Sequence, residues 1–295
     1  TMMNNARLAV GMQGVAVAEA AYQKALSYAQ ERRQGKAAGY AGEGMAPIVH
    51  HPDIKRGLIT MKALTQAARA IAYACAHAID LSRAGGEDAA TWGERAGLLT
   101  PLAKAFPTDI GVEVSSIGVQ IHGGMGFIEE TGAAALYRDS RIAPIYEGTN
   151  GIQAIDLVTR KLPLSGGEAV RAYIAELRAD AEALRNSNAE GFGRTAEKVS
   201  AALDDLQAAT DYLLAALGGG RTEEALAGAT PYLRLFSLAA GGAYLIRGAL
   251  AGQDKARVAL ARFFAENLID ETAALKNRVV EGAESLDAAA AALAL

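Results

Sequence analysis

The segment Asn4-Asn5-Ala6-Arg7-Leu8-Ala9-Val10-Gly11-Met12-Gln13-Gly14-Val15-Ala16-Val17-Ala18-Glu19-Ala20-Ala21-Tyr22-Gln23-Lys24-Ala25-Leu26-Ser27-Tyr28-Ala29-Gln30-Glu31-Arg32-Arg33 decides how this chain is built. Leu8, Met12, Val15, Glu19, Tyr22 and Leu26 recur at alternating steps of four and three, one mostly apolar face of a helix running from about Asn4 to Arg33. The same texture continues. After a glycine-rich loop over 34–47, a second helix starts near His51-Pro52-Asp53, with Pro tolerated in the first turn, and runs to about Arg83 before Gly85-Gly86. A third runs from about Asp88 to His122. Pro101 and Pro107 lie inside it, so a kink or a split is expected. Gly123-Gly124-Met125-Gly126 ends it, and a short helix follows over about Thr131–Asp139.

Leu162-Pro163-Leu164-Ser165-Gly166-Gly167 is the expected boundary between two units, 1–163 and 168–295. Beyond it, Val170, Tyr173, Leu177, Ala181 and Leu184 keep helical spacing, as do Val199, Leu203, Leu206, Thr210, Leu213 and Leu217. Three more helices are expected near 223–253, 255–269 and 271–284. With no alternating strand pattern, the expected class is all-α, and the second half reads as an antiparallel helical bundle.

Composition narrows the function. Hydrophobic residues make up 51% and charged residues 21% of 295, which suits a folded globular chain. The net charge is −4 and no long basic stretch occurs, so nucleic-acid binding has no electrostatic footing. The single Cys75 excludes an intramolecular disulfide, fits a reducing, cytoplasmic compartment, and sits in an apolar run as a small core residue. His50, His51, His77 and His122 show no metal-ligand spacing, so no metal is expected. The apolar stretch Leu233–Ala251 is interrupted by Arg234, Gly241-Gly242 and Arg247, which argues for a buried helix and no membrane span. The opening Thr1-Met2-Met3 runs directly into helix and looks like the edge of a longer chain.

Tyr146-Glu147-Gly148-Thr149-Asn150 is the chemically suggestive stretch. It sets a carboxylate at a break between helices, behind Ile142, Ala143 and Ile145, with Thr149 or Asn150 able to cap a helix that ends near Lys161. A carboxylate held at such a bend can be desolvated and aimed as a general base. Taken alone the turn reads more simply as a helix break with a cap, with Glu147 exposed. Gln120-Ile121-His122-Gly123-Gly124-Met125-Gly126-Phe127 reads as a C-cap or as a place where a flat or phosphorylated ligand approaches the backbone. Its spacing is not the dinucleotide fingerprint and no strand precedes it. Arg32 and Arg33 suit a helix C-terminus or a phosphate contact. Arg7, in a first turn, is not explained by the helix dipole.

These pieces occur in one order on one helical scaffold: Arg7, Glu31-Arg32-Arg33-Gln34-Gly35, the turn at 120–127, Tyr137-Arg138-Asp139-Ser140-Arg141, and Ile145-Tyr146-Glu147-Gly148-Thr149. Together they resemble the C-terminal helical domain of the acyl-CoA dehydrogenases over about residues 3–162. Gly241-Gly242-Ala243-Tyr244-Leu245, Lys255-Ala256-Arg257 and Ala261-Arg262-Phe263-Phe264-Ala265-Glu266-Asn267 resemble the extra C-terminal helical domain of the family's long bacterial branch. The resemblance implies a four-helix-bundle-like domain followed by a second bundle, in a protein whose N-terminal helical and middle β-domains precede this chain.

It also implies FAD as cofactor, an acyl-CoA substrate, an electron-transfer flavoprotein as electron acceptor, and a homodimer or dimer of dimers. Glu147 matches the base that removes the α-proton while the β-hydride moves to flavin N5, giving the trans-2-enoyl-CoA. The thioester oxygen is then held by a flavin ribityl hydroxyl and the Glu147 N–H, in an apolar pocket that raises the pKa of the base, with Gly148 leaving room beside it. Arg32, Gln34, Gln120, Ile121, His122, Gly123 and Gly124 match positions that meet the cofactor across the dimer. Thr149 matches a contact within its own subunit, and Asn4 and Arg7 match contacts to CoA. An acyl-CoA oxidase and a non-catalytic dimerisation scaffold are the alternatives on the same fold.

Overall fold

The computed structural model describes residues 2–293 apart from 188 and 253; Thr1 lies outside them. Three long helices form the first half: α1 (Met2–Glu31), α2 (Pro52–Ala84) and α3 (Ala89–His122). α1 and α3 run parallel, since Gly11 lies against Ala103, Gly14 against Pro107 and Gly111, and Ala21 against Gly118. α2 runs antiparallel to both: Arg69 bonds Glu19 at 2.7 Å, and Cys75 meets Thr100. Burial pushes the Cys75 thiol up to about 11, as expected of a core cysteine.

The most deeply buried residues of α1 are mainly small ones. Its buried residues are Val10, Gly11, Gly14, Val15, Ala18, Ala21, Ala25 and Ala29, whereas Leu8, Met12, Tyr22 and Leu26 pack only at the edge. Small residues win because they let two backbones touch. A Cβ on Gly14 would come within 2.7 Å of the Thr108 Cα, and one on Gly11 would collide with the Ala103 carbonyl oxygen. That carbonyl is the one Pro107 deprives of its helical donor, so the two helices meet where α3 has a free acceptor. α3 is not split at Pro101 or Pro107 but stays helical from end to end. Its stretch from Leu98 to Thr108 is buried throughout, and tertiary packing outweighs the missing hydrogen bonds.

The glycine turn after α3 does more than stop it, because Gly124–Phe127 forms one further helical turn, α4. α5 (Ala133–Ser140) and α6 (Asn150–Asp156) follow, and α6 runs into a π-helical turn, Leu157–Lys161, whose Leu157 and Val158 are buried. Ser165, Gly166 and Gly167, all at positive φ (48°, 68° and 91°), turn the chain into the second half.

That half comprises α7 (Glu168–Asn186), α8 (Thr195–Gly218), α9 (Thr222–Ala227), α10 (Ala229–Gly252), α11 (Lys255–Asn267) and α12 (Glu271–Ala289). The single helix expected over 223–253 is two, broken at Gly228. A Cβ there would sit 3.1 Å from Val279 Cγ1 and 3.2 Å from its carbonyl oxygen, so the approach of α12 sets the break. α10 is long and apolar enough to cross a membrane by composition, but residues 235–243 are buried against their neighbours. Its Gly241-Gly242 pair is a packing contact: added Cβ atoms would lie 2.9 Å from the Ala67 Cβ and 2.7 Å from the Ile269 Cδ1. The halves share one core. Arg95 of α3 stacks 4.3 Å from the Tyr173 ring centroid and bonds Glu176 at 2.7 Å. The Tyr173 hydroxyl meets that of Tyr244 at 2.7 Å. Among the described residues there is no β-strand, only an isolated bridge between Arg33 and Pro47.

Candidate active site

Glu147 has φ +55°, and Gly148 follows at +83°. A non-glycine residue in the left-handed region costs about 1–3 kcal/mol and persists only where its surroundings enforce it. The enforcement is visible. The Asn150 N–H donates to the Pro144 carbonyl at 3.0 Å, and the Ile145 and Tyr146 N–H groups donate to Ile142. Thr149 caps α6, its hydroxyl accepting from the Ile152 N–H at 3.4 Å. The Gln153 amide donates to the carbonyls of Glu147 and Gly148 at 3.4 and 3.3 Å. The Glu147 N–H has no acceptor among the described residues, so one residue offers a free donor and a carboxylate side by side.

On its inner side Gly148 faces Gln153, where a Cβ would fall 2.8 Å from Nε2. Nor do the preceding apolar residues cover the carboxylate. Ile142 and Ile145 are 55% and 50% exposed, and Glu147 lies on the chain's own surface. Arg7 reaches this turn from α1 but is engaged, donating to Asp156 at 3.0 Å. Its Nε and Gln153 Oε1 are buried without partners. Asn4 sits one helical turn earlier, half-buried.

Behind the turn lies a lysine with no exposed surface. Lys104 of α3 donates to Asn150 Oδ1 at 2.8 Å. Burial lowers its pKa to about 8; Asp109 and Glu147 oppose that shift and Arg7 adds to it.

The remaining site candidates converge elsewhere. Arg32, Gln34, Gln120, Ile121, His122, Gly123 and Gly124 line one cavity of about 630 Å³, together with Tyr28, Gly35 and His51. Backbone bonds pin its rim: Gln34 N–H to the Ala46 carbonyl at 3.0 Å and Ile48 N–H to the Arg32 carbonyl at 2.8 Å. His122 stacks on Tyr28 at 4.5 Å and bonds the Gly118 carbonyl at 2.7 Å, while His51 bonds the Gln34 carbonyl at 2.8 Å. Gly123, at φ +60°, and Gly124 face open space that Cβ atoms would fill. A guanidinium, two side-chain amides and an open glycine backbone suit a phosphate-bearing, flat ligand. This cavity and the Glu147 turn lie at opposite ends of α1; the rise per residue puts Arg7 and Arg32 about 37 Å apart along it.

Residues 1–162 match the family model described as acyl-CoA dehydrogenase, C-terminal domain, and residues 168–290 match that described as acetyl-CoA dehydrogenase C-terminal like. The chain belongs to the acyl-CoA dehydrogenase family. The 3-methylmercaptopropionyl-CoA dehydrogenase of Ruegeria pomeroyi is 42% identical over 297 residues, covering 97% of this chain and 50% of that protein. The chain thus spans about half the length of this curated relative. Two solved structures share the fold. Caenorhabditis elegans ACDH-11 in complex with C11-CoA has a TM-score of 0.74 at 20% identity, over 95% of this chain and 47% of that one. The Bacillus anthracis acyl-CoA dehydrogenase complexed with FAD has a TM-score of 0.73 at 22% identity, over 95% and 49%.

Within this member of the family, the sequence did not point to Tyr28, Lys104, Asp109, Gln153 and Asp156. A signal existed for Lys104, a lone cation in the apolar run Leu102-Ala103-Lys104-Ala105-Phe106. None existed for the bonds of Gln153 to the turn's backbone or for the pairing of Asp156 with the distant Arg7.

Proposed function

We propose that this chain is the C-terminal part of an FAD-dependent acyl-CoA dehydrogenase that converts an acyl-CoA thioester to its trans-2-enoyl-CoA, with Glu147 as the base for the α-proton. The observation that carries this is the left-handed Glu147, whose carboxylate and unbonded N–H share one turn. The α-proton of a thioester is too weakly acidic for a carboxylate unless the carbonyl oxygen is held as charge develops on it. The Glu147 N–H is the donor this chain offers for that oxygen, beside the carboxylate that takes the proton. Water exclusion around Glu147 must come from substrate and from surfaces outside this chain, because Ile142, Ile145 and Tyr146 are exposed.

Bound FAD would supply the hydride acceptor. Arg32, Gln34, Gln120, Ile121, His122, Gly123 and Gly124 would hold it at the cavity, and Thr149 would meet it at the carboxylate turn. The separation of the two sets along α1 supports a homodimer in which each site draws one set from each copy. Asn4 and Arg7 would face the CoA portion, with Arg7 held ready by Asp156. We place the division of labour at 1–163 for catalysis and dimerisation and 168–295 for support, with electrons leaving to an electron-transfer flavoprotein. The chain alone would hold FAD weakly and be inactive.

The test is anaerobic mixing of the full-length protein with acyl-CoAs. Glu147→Gln should keep FAD bound and lose flavin bleaching by at least about a hundredfold; unchanged bleaching would overturn the assignment.

A further inference from the structure

We propose that Lys104 and Asp109 are positioning residues that fix Glu147 at its turn by gripping opposite ends of the Asn150 side-chain amide. This rests on the reading of Glu147 as the base.

The geometry leaves one assignment for the amide. Lys104 Nζ, which can only donate, lies 2.8 Å from Asn150 Oδ1. Asp109 Oδ1, which can only accept when ionised, lies 2.7 Å from Asn150 Nδ2. The second Nδ2 proton is shared between Thr108 Oγ1 at 3.0 Å and the Ala105 carbonyl at 3.2 Å, and the Thr108 hydroxyl in turn donates to the carbonyls of Lys104 or Ala105, each at 2.9 Å. A flipped amide would set NH₂ against ammonium and carbonyl against carboxylate. Only a group that accepts at one end and donates at the other satisfies both partners.

Asn150 is also the backbone donor that closes the turn onto Pro144, at 3.0 Å. Its side chain is therefore clamped by α3 while its main chain holds the loop carrying Glu147. Lys104 has no exposed surface and Asn150 Oδ1 as its one acceptor among the described residues, an expensive placement for a cation that packing alone does not require. Arg234 of α10 bonds Glu113, one turn after Asp109, at 3.2 Å and Glu271 of α12 at 2.8 Å. Asp109, Asn150, Arg234 and Glu271 line one small cavity between the halves.

The experiment uses the full-length holoenzyme and two readouts. One is amide hydrogen exchange over 144–150. The other is exchange of the α-protons of a 3-thia-acyl-CoA in deuterium oxide; sulfur at the β-position leaves no hydride to transfer, so only the base is reported. Lys104→Met and Asn150→Asp should each speed amide exchange in the loop about tenfold or more and slow α-proton exchange about 10- to 100-fold, with analogue affinity within about threefold. Asp109→Asn combined with Asn150→Asp recreates the donor–acceptor order with the roles reversed and should recover at least half of the Asn150→Asp loss on a logarithmic scale. Unchanged loop protection and α-proton exchange in the single variants, or no recovery in the swap, overturns the proposal. If Lys104→Met fails to fold, the Asn150→Asp single and the swap decide alone. Glu147→Gln separates the two levels. If it retains α-proton exchange, the base assignment fails, and loop protection by itself judges the clamp.

Discussion

The Asn150 N–H donates to the Pro144 carbonyl at 3.0 Å, and the loop it closes forces Glu147 into left-handed backbone. A side chain with a Cβ is disfavoured there, so the turn stores conformational cost for the sake of the carboxylate. Glu147→Gly should therefore raise stability by about 0.5–1 kcal/mol, the relief of the left-handed conformation less glycine's greater unfolded-state entropy. Urea unfolding of this chain measures it, and a lower midpoint would show that the conformation is unstrained.

Lys104 gives a pH signature. Burial holds its pKa at about 8, below the ordinary 10.5 that the unfolded chain would show. Between these values the unfolded state binds the extra proton, so stability from this group rises with pH across that window; below about 8 the full cost of the buried charge is present. Relative to Lys104→Met, the wild type should gain about 3 kcal/mol between pH 7.5 and 10.5. Denaturant unfolding of both proteins across that range checks it, and parallel curves would contradict the buried cation.

The same substitution should have opposite signs at two glycines. Gly14→Ala puts a Cβ 2.7 Å from the Thr108 Cα, where backbone rather than a flexible side chain must yield, and should cost about 1–3 kcal/mol despite the better helix propensity of alanine. Gly93→Ala in α3 meets nothing within 4 Å and should stabilise by up to about 1 kcal/mol. Thermal melts of the two variants decide, and a stabilised Gly14→Ala would mean that α1 and α3 are not in backbone contact.

Arg32 stands at the cavity with Gln34 and the 120–124 turn. In the proposed site Arg32 is a phosphate donor, and Arg32→Ala should weaken FAD retention in the full-length protein about tenfold to a hundredfold, an effect that shrinks as salt rises. Cofactor content after gel filtration reads this directly, and unchanged retention would remove Arg32 from the cofactor contacts.

Much of the fold was legible because helical periodicity and stop signals are local. Gly85, Gly123 and the Thr149 cap all mark ends that the folded chain uses. Three features were decided by one shared cause. The most deeply buried positions of α1 are mainly small residues such as Gly11, Gly14 and Ala18; α3 is not split at Pro107; and nothing marked Gly228, where α9 and α10 part. In each case the outcome depends on how closely another helix approaches, and the sequence carries no record of that distance.

The site divides in the same way. By itself the sequence determined the helical class, the order of its motifs, and the presence of a carboxylate, a glycine and a capping threonine at one helix break, because these follow from residue type and spacing along a single segment. The tertiary structure alone decided that Glu147 takes left-handed backbone, that a buried Lys104 reaches across 46 positions to Asn150, and that the Arg32 cavity and the Glu147 turn sit at opposite ends of α1. Those facts depend on contacts between distant segments, where packing and the pairing of buried polar groups, rather than local propensity, select the conformation.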